Sequence, residues 1–285
     1  MEQMRMVVAG LGYSGGAIAR EALAAGFAVT GTARDPARAA PPPGVAVVAF
    51  DAAGAVIRAA THLVVTAGPE ADGDPVLAAH AAAIGQAAGL RWIGYLSTTG
   101  VYGDRDGAWV DEATLPAPGQ PRSARRLAAE EAWRAAAAAR GCALDLFRTG
   151  GIYGPSRSVF DELRAGTARR VRKPGHSFSR IHRDDIALAV VAGARAPHGV
   201  RVLHLVDDVP ASSADVTEEG ARLLGVAPPP LVDFAEAASR MSPMGLSFWS
   251  ENRRVSCAGT RAALGIDWRY PSYREGLAAI LAGES

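Results

Sequence analysis

Through the first two hundred residues, short apolar runs alternate with longer stretches in which apolar positions recur three or four residues apart. A short continuous apolar run suits a strand buried on both faces, and a spacing of three to four suits a helix lying against it. The alternation therefore predicts repeated βαβ units around a parallel sheet. Strands are expected at 5–9, 27–32, 45–50, 62–66, 91–97 and 144–148, and helices at 14–25, 75–88 and 122–140. The last helix carries Arg126 and Glu130 at the four-residue spacing of a pairing on one helix face. A further helix at 184–194, opened by Asp184 as its cap, leads to a final strand at 202–206.

After Asp207 the pattern changes. Pro210, the run Pro228-Pro229-Pro230, Pro243 and Pro271 punctuate short helices, with Trp249 and Trp268 as apolar anchors. The segment 151–179 is irregular and rich in Arg and Gly, and is expected to join that later part in space. The expected architecture is thus an α/β, doubly wound parallel sheet built from residues 1–150 and 180–206, with a smaller domain formed by the insertion 151–179 and the C-terminal part 207–285. No internal repeat is seen, and Pro41-Pro42-Pro43 reads as a loop before a strand.

Composition narrows the classes of partner. The 285 residues are 49% hydrophobic and 21% charged, with 30 Lys plus Arg against 29 Asp plus Glu, a formal net charge of +1. Nothing in that balance favours nucleic acid or an anionic membrane surface. The apolar stretch Met6 to Ala9 is broken at once by glycines and by Arg20 and Glu21, short of the roughly 20 apolar residues a membrane span needs. Cys142 and Cys257 stand alone without metal spacing, and the histidines form no ligand pattern, so no metal and a reducing, cytoplasmic setting are expected.

The chemistry begins at the first turn. Gly10, Gly12 and Gly15 form GxGxxG directly after a predicted strand and before a helix that opens at Ser14. The first glycine allows the tight turn, the second lets backbone approach a pyrophosphate, and the third lets helix pack on strand, with Tyr13 and Ser14 at the positive helix end. This is the context of a Rossmann-type dinucleotide site. The acid that would hold a ribose 2′-hydroxyl of NAD is missing after the second strand, where Thr32, Ala33 and Arg34 stand. Arg34 suits a 2′-phosphate, so NADP is expected rather than NAD; the alternative is a solvated turn residue paired with Asp35 or Asp51. Asp51 is read either as an acceptor for the adenine amino group or as a helix cap. Ala67 and Gly68, after the fourth strand, would let backbone lie against the cofactor ribose.

Six segments in order, GLGYSGG from Gly10, STTGVYG from Ser97, VDEATLPAP from Val110, RLAAEEAW from Arg126, FRTGGIYGP from Phe147 and SRIHRDDIA from Ser179, resemble the extended short-chain dehydrogenase/reductase superfamily of NAD-dependent epimerases and dehydratases. The resemblance implies a Rossmann domain and a substrate domain with the cofactor and substrate in the cleft between them. It also implies a catalytic Ser or Thr, which Thr98 fills, and a Tyr-x-x-x-Lys pair, which this chain replaces with Arg122 and Arg126. The chain is therefore read as an atypical member.

Arginine keeps the cation and the donors but does not shuttle a proton near neutral pH. Arg122 and Arg126 together are read as holding an anion, or as a solvated basic face balanced by Glu130 and Glu131. Tyr102 or Tyr153 is the candidate replacement acid, with packing beside the cofactor as the alternative role. Arg180 and His182 resemble the segment lining the substrate cleft; with Arg157, Arg169, Arg170, Arg172 and Lys173 they form a cluster suited to a phosphorylated or nucleotide-linked substrate, or else a solvated loop. Two functions follow as expectations: an NADP(H)-dependent oxidoreductase or epimerase acting on a small polar substrate such as a sugar or sugar nucleotide, or a non-catalytic NADP(H)-binding sensor.

Overall fold

A computed structural model describes residues 3–284. Seven strands form the central sheet: β1 Arg5–Ala9, β2 Ala28–Ala33, β3 Ala46–Ala49, β4 His62–Val65, β5 Trp92–Thr98, β6 Ala143–Thr149 and β7 Val200–Leu205. All neighbouring pairs are parallel, in the order β3-β2-β1-β4-β5-β6-β7, so the direction of winding reverses between β1 and β4. The carboxyl ends beside such a reversal form the crevice where open α/β sheets take ligands.

Alternation along β1 shows why the sheet is covered on both faces. Met6 and Val8 join Ile18 and Val190 on one side, beneath the helices Tyr13–Ala24 and Arg183–Arg195; Val7 and Ala9 join Ile57, Ile84 and Trp133 on the other, beneath Pro75–Gly85 and Pro121–Arg140. The helix Pro75–Gly85 starts where it does because Asp74 accepts from the Val76 and Leu77 amides at 2.9 and 3.1 Å, while its second oxygen accepts from Trp133 Nε1 at 3.0 Å.

Two local expectations are corrected. Asp184 is not the cap of the helix Arg183–Arg195; the His182 ring takes that place, its Nδ1 accepting from the Asp184 amide at 3.1 Å. Glu130 does not pair with Arg126 along the helix surface. It is fully buried and grips Arg148 of β6 through two hydrogen bonds, Arg148 Nε to Oε1 at 3.1 Å and Nη2 to Oε2 at 2.7 Å, and it also accepts from Ser97 Oγ at 2.5 Å.

Outside the sheet, three short parallel ladders carry the remaining chain: Gly151–Tyr153 with Arg180–His182, Arg170–Arg172 with Leu231–Asp233, and Trp109–Val110 with Arg254–Val255. At two or three residues each, they are too short to show a periodicity, which is why the sequence pattern does not announce them. A separate apolar cluster of Phe160, Tyr273, Leu277 and Ile280 joins the segment after β6 to the C-terminal helix Tyr273–Gly283. No helix among the described residues is long and apolar enough to cross a membrane.

Removing one partner of a buried ion pair leaves the other charge without compensation. Glu130→Ala is therefore expected to lower the unfolding free energy by about 3–5 kcal/mol in denaturant titration, against less than about 0.5 kcal/mol for exposed Glu131→Ala. Equal effects would show that the Glu130–Arg148 pair does not hold the sheet to its helix.

Candidate functional site

The glycine loop has the geometry its spacing predicts. Gly10 adopts φ +110°, and a Cβ there would stand 2.5 Å from Thr66 Oγ1 and 3.3 Å from the Ala67 amide nitrogen. A Cβ on Gly15 would strike the Gly10 carbonyl, whereas one on Gly12 would meet nothing within 4 Å. Gly12 therefore borders open space. The helix Tyr13–Ala24 has neither a side-chain cap nor an acid in its first turn. Its first amides have no side-chain acceptor, and the positive end of its dipole has no acid beside it.

A cavity of about 250 Å³ lies over this turn, bordered by Gly12, Tyr13, Ser14, Gly15, Ser97 and Arg157. The Tyr13 hydroxyl donates to the Pro155 carbonyl at 3.0 Å, and its ring sits 4.8 Å from the Arg183 guanidinium and 5.5 Å from that of Arg157. Burial raises the Tyr13 phenol above its ordinary pKa. Arg157, which the sequence groups with the substrate-side cations, instead borders the phosphate turn.

Arg34 is exposed at the carboxyl end of β2 and makes no hydrogen bond or ion pair among the described residues. Asp35 is occupied in capping the turn Pro36–Arg38, accepting from the Ala37 amide at 3.1 Å. Asp51 is also exposed, in the turn Phe50–Ala52, and caps no helix. Arg34 is thus an exposed bend residue paired with neither Asp35 nor Asp51, and Asp51 is not a helix cap. Gly68 leaves room for the Arg126 guanidinium, whose Nη2 would lie 3.1 Å from a Cβ placed there.

A second, larger cavity of about 580 Å³ adjoins the first, and the two share Arg126 and Thr149 as common walls. Thr98, Arg122, Ser123, Arg180, Glu251 and Arg253 face the larger one. Thr98 Oγ1 accepts from the Gly100 amide at 3.1 Å, which leaves its hydroxyl proton free to donate. Arg126 Nη1 donates to the Leu96 carbonyl at 2.8 Å and to Tyr95 Oη at 3.3 Å, and no carboxylate among the described residues pairs with it. Arg122 reaches Met244 Sδ at 3.4 Å and lies 4.2 Å above the Phe248 ring. Glu130 is committed to Arg148 and Glu131 to Arg134, so the picture of a basic face balanced by these acids does not hold.

Three expected site residues lie elsewhere. Tyr102 is fully buried, its hydroxyl 2.6 Å from His204 Nε2 and 2.8 Å from Arg148 Nη1, with burial raising its pKa; it borders neither cavity. Because His204 Nδ1 faces the Ser256 carbonyl at 2.7 Å and must donate to it, Nε2 is the acceptor of the Tyr102 proton. Tyr153 turns toward the C-terminal helix, donating to the Ser272 carbonyl at 3.4 Å, and burial pushes its phenol far up. His182 is 2% exposed, caps its helix, packs 4.2 Å from the Tyr270 ring, and is lowered to about pKa 4 mainly by burial. Neither Tyr102 nor Tyr153 is placed to give a proton to a ligand in the cleft.

Arg180 does border the larger cavity, but its Nη1 is engaged by the Phe178 and Ala211 carbonyls at 2.9 and 2.8 Å. Arg170 and Arg172 are spent on Glu218 and Asp233, and Lys173 on the Trp249 carbonyl. Ser97, Ser123, Thr149, Glu251 and Arg253 escaped the sequence reading. Ser97 and Thr149 could have been found from their place at carboxyl ends of predicted strands. No group of metal-ligating side chains occurs among the described residues.

The comparisons with known proteins agree with the fold. No family model matches the chain. A solved structure from Silicibacter pomeroyi DSS, of a conserved protein described as functionally unknown, is 39% identical, has a TM-score of 0.89 and is covered over 99% of each chain. The two belong to one family. A structure from Methylobacillus flagellatus described as an NAD-dependent epimerase/dehydratase is 24% identical, with TM-score 0.75 over 99% of each chain; the human epimerase family protein SDR39U1, solved with NADPH, is 20% identical with TM-score 0.74 over 98% of this chain and 99% of its own. In fold the chain is similar to these epimerase/dehydratase-type structures. A Streptomyces protein named 3-diazoavenalumate denitrifying reductase is 32% identical over 172 residues, so the match spans 57% of this chain and 54% of that relative.

Two outcomes test the site and the burial around it. Gly12 has φ −92° and free space around its Cβ position, so Gly12→Val should keep the circular dichroism spectrum and lose dinucleotide binding in titration; unaltered binding would remove the glycine turn from the site. Asp207, 1% exposed with Oδ2 lacking a partner, is pushed by burial up to about pKa 8, from 3.8. A carboxyl raised in this way destabilises the folded chain progressively as pH rises from about 4 to about 8. From pH 5 to 8.5 the unfolding free energy of Asp207→Asn should rise relative to that of the native chain, and a difference that does not change with pH would remove the shift.

Proposed function

We propose that this chain is an NADPH-dependent reductase whose cleft holds the nicotinamide end of the cofactor where the two cavities meet. The observation that carries this reading is the shared wall of Arg126 and Thr149, which joins the phosphate turn to a ligand-sized cavity at the carboxyl ends of β5 and β6. The residues present suit the cofactor: uncapped helix amides and Arg157 for the pyrophosphate, Arg34 for a 2′-phosphate, and exposed Asp51 for the adenine edge. When bound, the dinucleotide supplies a hydride.

The chain's own groups then set what can be reduced. Arg126 takes the place of the usual lysine and presents donors to ribose hydroxyls without any proton to give. Arg122 takes the place of the tyrosine and supplies charge. The hydroxyls beside the cleft, among them those of Thr98, Thr99, Ser123, Ser177 and Ser213, are not acids at neutral pH. Such a site suits a substrate that accepts hydride without a proton delivered by a strong acid. The denitrifying reduction in the name of the Streptomyces relative is of this kind where the diazo group is an arenediazonium ion: hydride bonds the ring carbon, the C–N bond breaks, dinitrogen leaves and no proton is added. Epimerisation of a sugar or sugar nucleotide requires a base for the hydroxyl proton, which neither arginine provides, so the reductase reading is preferred.

The test is a pair of titrations followed by a turnover screen. Arg34→Ala should weaken NADPH by about 10- to 150-fold, as expected for a lost charge-assisted bond of about 1.5–3 kcal/mol, and leave NADH unchanged. An unchanged NADPH/NADH ratio would make Arg34 a turn residue. Tight NADPH binding with no oxidation of NADPH by a panel of carbonyl, enone and diazo compounds would instead favour a sensor.

A further inference from the structure

The larger cavity is cationic, and its cations are not equally engaged. Four arginines border it against one acid, Glu251. Arg253 is bound to Glu251 at 2.8 Å and to the Gly103 carbonyl at 2.7 Å; Arg180 is held by two carbonyls; Arg126 is held by the Leu96 carbonyl and Tyr95. Arg122 differs. Half-buried in the first turn of the helix Pro121–Arg140, it has for partners a thioether sulfur and an aromatic face, with no oxygen acceptor among the described residues.

Its setting adds to the positive potential. A cation in a first turn stands at the positive end of the helix dipole, where acids are favoured, and this helix has neither an acid there nor a side-chain cap on Gln120. A half-exposed guanidinium in that place, with no protein oxygen to serve, has its donors free for an anion.

The wall beside Arg122 is apolar and aromatic, its Phe248 ring carrying the guanidinium on one side at 4.2 Å. The helix Pro243–Trp249 buries none of its residues, and Met244 and Phe248 are 64% and 55% exposed although Phe248 faces the cavity. Behind it, Trp249 and Phe178 pack edge to face at 5.1 Å and both border the same space. A large aromatic surface left open over a cavity is a place for a flat apolar group.

We propose that this cavity takes a small aromatic carboxylate, its carboxylate on Arg122 and its ring against Phe248 and Trp249. The arrangement gives the arginine in the tyrosine's place a positive role as the substrate anchor. One loosely engaged cation suits a monoanion, whereas a sugar diphosphate would need several. The volume of about 580 Å³ accommodates one or two rings. The proposal rests on the reading of this cavity as the substrate site of a reductase.

Calorimetric titration of the full chain, without cofactor and with saturating NADP⁺, separates the two ideas. Cinnamate should bind in both states, with cinnamamide and acetate at least tenfold weaker. Arg122→Gln should weaken cinnamate more than tenfold and leave NADPH affinity unchanged, while Phe248→Ala should weaken cinnamate with NADPH again unchanged. Because neither side chain borders the glycine-loop cavity, retained NADPH binding also reports folding. Equal binding of cinnamate and cinnamamide, or cinnamate affinity indifferent to Arg122→Gln, would overturn the proposal, as would tight binding of UDP-glucose with none of cinnamate. Failure of NADPH to bind the native chain, with Arg122-dependent cinnamate binding intact, would overturn the reductase reading and leave the anion site standing.

Discussion

The buried pair between Glu130 and Arg148 fixes the cleft. It ties the helix Pro121–Arg140 to β6 at the depth of the sheet, and because Arg126 and Arg122 precede Glu130 by one and two turns, that anchor sets where both arginines stand. The same guanidinium reaches the Tyr102 hydroxyl, which passes its proton toward His204, which in turn donates to the Ser256 carbonyl. A continuous polar chain thus runs from Ser97, at the glycine-turn cavity, to the C-terminal segment. Each member has its partners, the condition under which a buried polar network rigidifies instead of destabilising.

That network also accounts for the limits of the sequence reading. The sheet was legible because its strands are apolar runs long enough to be seen, and the phosphate turn because glycine spacing, strand and helix coincide. Tyr102 looked available because a tyrosine after a strand often has one wet end, and nothing local announces that Arg148 and His204, 46 and 102 residues away, enclose it. Glu130 invited a surface pair with Arg126 by spacing alone. Its true partner lies on another element, and three-dimensional proximity of that kind leaves no periodic trace. His182 was similarly taken for a ligand group, because helix capping by an imidazole is not among the usual cap chemistries.

The two arginine replacements change the character of the cleft together. A tyrosine and lysine pair manages protons; two guanidiniums manage charge and shape. With Tyr102 and Tyr153 both turned inward, the positions facing the larger cavity offer hydroxyls, cations and aromatic faces. Specificity in such a site comes from where an anion and a ring can sit at once, and the burden of proton chemistry shifts to the substrate itself.

The order of the cavity walls along the chain has a consequence for biosynthesis. The glycine-loop cavity is bordered by residues from Gly12 to Arg157, whereas the larger cavity runs from Thr98 to Val255. A nascent chain emerging from its N-terminus has synthesised every wall of the first about a hundred residues before the second can close.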